Sequence, residues 1–541
     1  MTSKIDKDKR AEYWRIFEDG SPQRWKSGLE QDTWVFEFPN GAVQKINRDH
    51  PNFNWAAKFE VDSDSTRLWV NSLRYLVDVL EASDTRFVVA ALESFHAYQR
   101  EFRDRPKELF SGSIDHQCAL QLRTCCEISA WQAKNPSALS DGEHRKLDSL
   151  LGGIVTNIRS LVDELNLLQA NNHGIMLGIA ALHSTYFFSG ESVNKHRETN
   201  YVEFLYDSLS EILGNDGLAD ENTVIYQAFY VRLLGEITDF LHWVEDAADT
   251  QFDALAELAS TALRHLLLPN NNVPPIGDGA ASSQSKFRAK NGLWQSRENG
   301  IFVHSTDETY LSFVCGFRGV FHKQMDDTSI ILWHKGKYLI QDAGLASYDK
   351  NDPVAVSLRT QVGHSGVFFK EFDDISAEKV ISYGAQTRLV RSVMEPFSRT
   401  ADGKMKVKGT VDFRNTRTER TLTFSGENSV IIRDEVNARD GKFRAVSRFL
   451  LDPSAEVSFA PNGSILIRNG KVWLKLSQQT GISNAKIYRG DKSIASAPRG
   501  FLAPKNYSTV PTYLIEIPLT LDEKGKGKIS IRLDFGVEDC L

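Results

Sequence analysis

Between His322 and Ser365 the chain carries more chemistry than a β-sheet needs. The stretch reads His322-Lys323-Gln324-Met325-Asp326-Asp327-Thr328-Ser329, then Asp342-Ala343-Gly344, Ser347-Tyr348-Asp349, Arg359 and Gly363-His364-Ser365. Strands require alternating apolar residues and glycine turns; the two histidines are surplus to that. Consecutive polar residues from His322 to Asp327 also break the in–out alternation of a sandwich strand. Asp342 follows the apolar Tyr338-Leu339-Ile340, where a strand should end. Two histidines and a carboxylate at strand ends can build a metal site or an acid–base site. For either histidine taken singly, a satisfied structural role is an equal expectation.

Upstream, Asn171-Asn172-His173-Gly174 opens an apolar helical run. Read locally it is a capped helix start; read functionally, Asn172 and His173 project from a helix mouth and donate hydrogen bonds to a carboxylate. Asp216-Gly217 followed by Glu221-Asn222-Thr223-Val224-Ile225-Tyr226 reads as a turn entering a helix, with Tyr226 one helical turn from Tyr230. Asp115-His116 and Arg123 offer either an arginine fork for a carboxylate or a plain ion pair. Asp326 and Asp327 are expected to point apart on a strand, which is wrong for the flanking carboxylates of a glycosidase. Trp294 and Trp333 suit sugar stacking less well than they suit a core.

These residues need a scaffold, and its texture changes midway. Leu68–Leu80, Phe87–Phe102, Cys118–Ala133, His144–Leu167, Tyr201–Leu213, Tyr226–Val244 and Phe252–Leu267 space apolar residues by three and four, predicting helices. In one of them Ile154, Ile158, Leu161, Leu165 and Leu168 form a single stripe. The run from Leu268 to Ser283 is rich in Pro, Gly, Asn and Ser, the composition of a boundary loop. Beyond it come short runs such as Tyr310–Val314, Ser329–Trp333, Val367–Phe369, Thr387–Val390, Arg420–Phe424, Val430–Val436 and Val472–Leu476. Asp402-Gly403, Asn462-Gly463 and Asn469-Gly470 punctuate them. The expected architecture is multidomain: an N-terminal (α/α) toroid over 1–267, a linker over 268–292, and a C-terminal antiparallel β-sandwich over 293–541.

Whole-chain quantities bound the partners. The chain has 541 residues and a formal charge of -7, so no global basic field argues for nucleic acid, while a local basic cleft for an anionic polymer stays compatible. Five cysteines, Cys118, Cys125, Cys126, Cys315 and Cys540, show no zinc-type pairing and read as free thiols. No apolar signal core follows the first residues and no apolar run reaches 18. The expected location is cytoplasmic, or periplasmic or secreted had a leader been removed, with no membrane contact.

Taken in order, the motifs resemble the heparinase II/III family of polysaccharide lyases. Asn171-Asn172-His173 is similar to that family's Asn-Asn-His element. Glu221 through Tyr226 is similar to its Glu-x-Ser-x-x-Tyr segment, and His322 through Ser329 to its His-Lys-His-Ala-Asp-Asp-Leu-Ser. Asp342-Ala343-Gly344 with Ser347-Tyr348, Gly363-His364-Ser365, and Pro275-Ile276-Gly277-Asp278 find counterparts too. The likeness spans roughly 110 to 370 and lies in the order of its parts.

The resemblance implies β-elimination at a uronic acid within an acidic polysaccharide or oligosaccharide. Asn172 and His173 would disperse the uronate's carboxylate charge. Tyr226 and His322 would move protons, and Arg123, His116 and Glu221 would contact substrate. The family's zinc ligands fall on Gln324, Asp342 and His364. Gln324 stands where a histidine is usual, and a neutral amide oxygen is a weak zinc ligand. The alternative is a carbohydrate-binding or biosynthesis-associated protein that kept the fold without turnover. Self-association into a homo-oligomer is left open.

Overall fold

The structure, a computed structural model, describes residues 4–16, 26–38, 41–57, 63–102, 105, 113–188, 195–245, 250–279, 285–380, 390–439, 443–478, 482 and 484–538. Helices run to Leu266, and antiparallel sheets follow. The chain divides into two compact units: 1–212 with 233–254, and 213–232 with 255–541.

In the first unit, the helix Asp141–Glu164 shows how local sequence sets the elements. Ser140 caps it: Glu143 N–H donates to Ser140 Oγ at 3.4 Å, and Ser140 N–H donates to the Glu143 carboxylate at 2.8 Å. Leu147, Leu151, Ile154, Ile158 and Leu161 form its buried stripe. The stripe stops short of the predicted Leu165, which is exposed because the helix has ended at Glu164. Each fully buried side chain of this kind contributes about 1.5–3 kcal/mol. In the helix Asn172–Phe187 every residue from Leu177 to Phe187 is buried, which marks an enclosed helix, and Ile114–Lys134 packs against it.

Two sequence expectations change here. The run Leu68–Leu80 is two helices, Ser63–Asn71 and Tyr75–Glu81, broken where Leu73 turns left-handed at φ 63°. The segment before them holds a three-stranded antiparallel sheet, Lys26–Glu30, Thr33–Glu37 and Val43–Asn47, where no strands were expected. Only Trp34, Phe36 and Ile46 of these strands are buried, and only Thr33–Glu37 alternates.

The second unit is a layered set of antiparallel sheets. A five-stranded meander runs Gly292–Ser296, Ile301–Ser305, Thr309–Val314, Ser329–His334 and Lys337–Ile340. The largest sheet places Val390–Met394 at one edge, followed by Met405–Phe413, Thr416–Gly426, Ser429–Ala438, Lys526–Val537, Val472–Ser477, Ile465–Asn469 and Glu456–Phe459. A smaller sheet orders Lys486–Arg489, Tyr513–Leu519, Ala445–Leu450 and Val367–Phe369. One core joins them, with Leu311, Phe313 and Leu332 packed among Leu422, Ile432, Leu474 and Ile531. Of the predicted strand Thr387–Val390, residues 387–389 lie outside the described residues.

A buried ion pair ties the loops to this scaffold. Arg420, fully buried, donates to both oxygens of Asp434 at 2.7 and 2.8 Å, to Ser447 Oγ at 2.9 Å, and to the carbonyls of Ser365 (2.6 Å) and Thr328 (3.1 Å). The ends of the His322–Ser329 and Gly363–Ser365 segments therefore rest on one guanidinium. Cys118, Cys125, Cys126 and Cys315 are buried free thiols; Cys540 lies outside the described residues. Among the described residues, no helix is long and apolar enough to cross a membrane.

Candidate active site

The centre of the second unit's polar chemistry is built on the turn before the helix Val224–Glu245. Gln227, in the first turns of that helix, accepts from Ala219 N–H (2.8 Å) and donates to the carbonyls of Gly217 (2.8 Å) and Ala259 (2.9 Å), pinning the turn. Asn222 is left-handed at φ 56°, a conformation asparagine tolerates. Its amide donates to the carbonyls of Gly319 (3.0 Å) and Phe321 (2.8 Å), which clips the loop leading to His322 onto the turn. Gly319 permits this approach: a β-carbon there would lie 2.1 Å from the Asp220 carbonyl oxygen.

His322 is itself left-handed at φ 53°, an uncommon state for a non-glycine residue. Its Nδ1 lies 2.7 Å from Oε2 of Glu221, whose other oxygen accepts the Tyr230 hydroxyl at 2.7 Å. Glu221 is 2% exposed. A carboxylate in that position takes the Nδ1 proton as a hydrogen bond and leaves Nε2 as the reactive ring nitrogen. The His322 ring stacks on Tyr226, with centroids 4.0 Å apart and planes at 22°. Burial, reinforced by the charges of Glu221 and Asp278, pushes the Tyr226 hydroxyl up to about 12. Tyr226 thus holds its proton across the neutral range.

Asp278 is the second buried carboxylate here. Gln324 Nε2 donates to its Oδ1 at 2.7 Å, and the Tyr348 hydroxyl donates to its Oδ2 at 2.7 Å. Burial raises its pKa against those two hydrogen bonds. Asp326 and Asp327 do not point apart on a strand as expected. They lie in a turn, and Lys323 Nζ binds both, Asp327 at 3.3 Å, because burial of three charges demands mutual pairing.

Asp342 and His364 form a separate buried pair, Nδ1 to Oδ2 at 2.8 Å, with Ser329 Oγ 3.4 Å from the same oxygen. Burial works against a charge on His364, but Asp342 outweighs it and lifts the pKa. As a test for zinc, the donor set falls short. Gln324 turns its N–H toward Asp278, which leaves Asp342 and the unpartnered Nε2 of His364 as the two strong donors, and among the described residues no three His, Cys, Asp or Glu side chains gather as ligands. An ordinary zinc site wants at least three protein ligands. The residues present do not fit that metal.

The first unit holds its own cluster. Asn171 caps the helix Asn172–Phe187 by accepting from Gly174 N–H at 2.9 Å, and Asn172 and His173 follow in the first turn. His173 Nδ1 is 2.9 Å from Ser113 Oγ and 3.5 Å from Asp115 Oδ1; Ser113 also hydrogen-bonds Asp115. His116 stacks on His173, centroids 5.1 Å apart. Burial, helped by His173 and Arg74, brings the His116 pKa down to about 4, so the ring is neutral at pH 7. Burial acts to raise Asp115, but hydrogen bonds from His173 and Ser113 hold its carboxyl at about 2. Arg123 binds Glu236 and lies 3.4 Å from Glu127, the ion-pair arrangement its sequence context allowed.

Sequence reasoning named Tyr226, His322, Glu221, Asn172, His173 and His116, and the structure groups them by unit: the first three together, the last three together. It did not find that Glu221 holds His322, that Asn222 clips the histidine's loop, or that Asp278 joins Gln324 to Tyr348. Asp278 and Tyr348 were both visible within motifs, but pairings across 46 and 70 residues leave no local signal.

Residues 288–526 match the family described as Heparinase II/III-like, C-terminal. This region is a heparinase II/III-like domain. No curated protein sequence matches the chain. Among solved structures, a heparinase III gene product aligns with a TM-score of 0.68 at 13% identity, covering 90% of this chain and 81% of that one. Heparan sulfate lyase HepC from Pedobacter heparinus gives 0.62 at 13%, covering 99% and 83%. Another heparinase III structure gives 0.64 at 12%, covering 90% and 80%. Identities this low establish a shared fold. Within the heparinase II/III-like domain lie His322, Gln324, Asp342, Tyr348 and His364, whereas Glu221, Tyr226 and Asp278 precede it in sequence.

Proposed function

We propose that the protein is a polysaccharide lyase that cleaves a uronate-containing glycan by β-elimination. The observation that carries this reading is the Glu221–His322–Tyr226 arrangement. Elimination needs a base for the proton on C5 of the uronate and an acid for the departing O4. With its Nδ1 proton held by Glu221, His322 offers Nε2 as the base. Tyr226, its hydroxyl pushed up to about 12, is suited to giving a proton to O4. The family resemblance assigns Asn172 and His173, in the first unit, to binding a uronate carboxylate. His116, as a neutral ring, is assigned to substrate binding, while Arg123 is held in its ion pairs with Glu236 and Glu127. No step passes through a metal.

The fold shared with a heparan sulfate lyase makes that polymer the first substrate to try. The experiment is a panel of uronate glycans, including heparan sulfate, chondroitin sulfate and alginate, followed by ultraviolet absorbance of the unsaturated product. At least one glycan is expected to yield absorbance with wild-type protein and none with Tyr226→Phe. Glycan binding without product across the panel would instead support a non-catalytic carbohydrate-binding protein.

A further inference from the structure

Asp278 sits at the middle of a buried bridge. Both of its oxygens are occupied, by Gln324 Nε2 and by the Tyr348 hydroxyl, each at 2.7 Å. Gln324 is 1% exposed, and since a carboxylate only accepts, the amide must turn its nitrogen toward Asp278. Its Oε1 is buried with no hydrogen-bond partner among the described residues. Position 324 thus commits its N–H to Asp278 and keeps only a neutral amide oxygen, a weak metal ligand, in reserve. The bridge continues outward through Tyr348, which is half exposed and has the Arg359 guanidinium 5.6 Å from its ring. Asp278 lies close enough to Tyr226 to act on it electrostatically, and Tyr226 in turn acts on Tyr348.

We propose that Gln324 is a positioning residue that does with a hydrogen bond what a metal–ligand bond would do. It fixes Asp278, Asp278 fixes the Tyr348 hydroxyl, and the site works without a bound metal. The inference rests on the elimination reading for its kinetic part only. An amide is the right side chain for this task. Histidine would donate from a shorter, stiffer ring, and glutamate would set two carboxylates against each other in a buried space.

The test uses the full chain. Purified wild-type protein is expected to carry far less than one zinc per chain, with a melting temperature unchanged by EDTA. About one zinc per chain, whose removal lowers the melting temperature, overturns the proposal. Gln324→Glu removes the donor at constant shape and should lower the melting temperature by about 2–6 °C. It should also cut kcat about tenfold with KM little changed. Adding Asp278→Asn to Gln324→Glu exchanges donor and acceptor across the same bond, and should recover most of both losses. A folded double variant no better than Gln324→Glu alone overturns the bridge. If no glycan is cleaved by wild-type protein, the elimination reading fails, while metal content and melting temperatures still decide the role of Gln324.

Discussion

The molecule holds its histidines in two different ways. In the second unit one histidine, His322, is gripped at Nδ1 by a buried carboxylate and stacked on a tyrosine. In the first unit two histidines stack on each other, and the carboxylate between Ser113 and His173 stays ionised to about pH 2. The first arrangement polarises a ring for proton transfer, because a fixed tautomer leaves one nitrogen free to react. The second fixes its rings by stacking and hydrogen bonds, with His116 neutral at pH 7 and His173 held against Ser113 and Asp115. Such a cluster suits hydrogen bonding to a substrate carboxylate better than proton removal. The same residue type thus acquires different chemistry from the position of one carboxylate.

The largest expected effects fall on the reacting pair. Tyr226→Phe and His322→Ala should each lower kcat by about 10²–10⁴-fold with modest change in KM. Equal losses in kcat/KM from His116→Asn would erase the contrast between the two clusters. Next comes the frame beneath His322. Arg420→Met leaves Asp434 buried without its partner and should cost about 3–5 kcal/mol of unfolding free energy, measured by denaturant titration. A cost near zero would mean that the loops do not depend on that guanidinium.

Glu221→Gln should lower kcat about 10²-fold, because an amide can present its N–H to Nδ1 and reverse the tautomer. The smallest effect belongs to Asp115. Its pKa is depressed when folded, so the stabilisation is complete above about 3.8, the unfolded value, and disappears as the pH falls toward about 2. The amount is about 1–2 kcal/mol. Asp115→Asn should therefore flatten the loss of unfolding free energy between pH 4 and pH 2. Identical slopes for variant and wild type would remove Asp115 from the comparison.

How much of this was legible differs between the units for physical reasons. Helices such as Asp141–Glu164 announced themselves because a single apolar face recurs along them. The three short strands between Lys26 and Asn47 did not, since most of their residues face solvent. His322 and Tyr226 stood out through motif order. Glu221 as the holder of His322 did not, because the two lie 101 residues apart and meet only after Asn222 has clipped the loop. The misreading of Asp326 and Asp327 has the same origin. Strand geometry separates adjacent side chains, but a turn around Lys323 brings them together.

The central claim is elimination at His322 and Tyr226 in place of hydrolysis, and cleavage of a uronate glycan in ¹⁸O-labelled water separates the two. Elimination predicts products with one unsaturated uronate end and no ¹⁸O incorporated at the cleavage site by mass spectrometry. A saturated product carrying one ¹⁸O per bond cleaved would contradict the account.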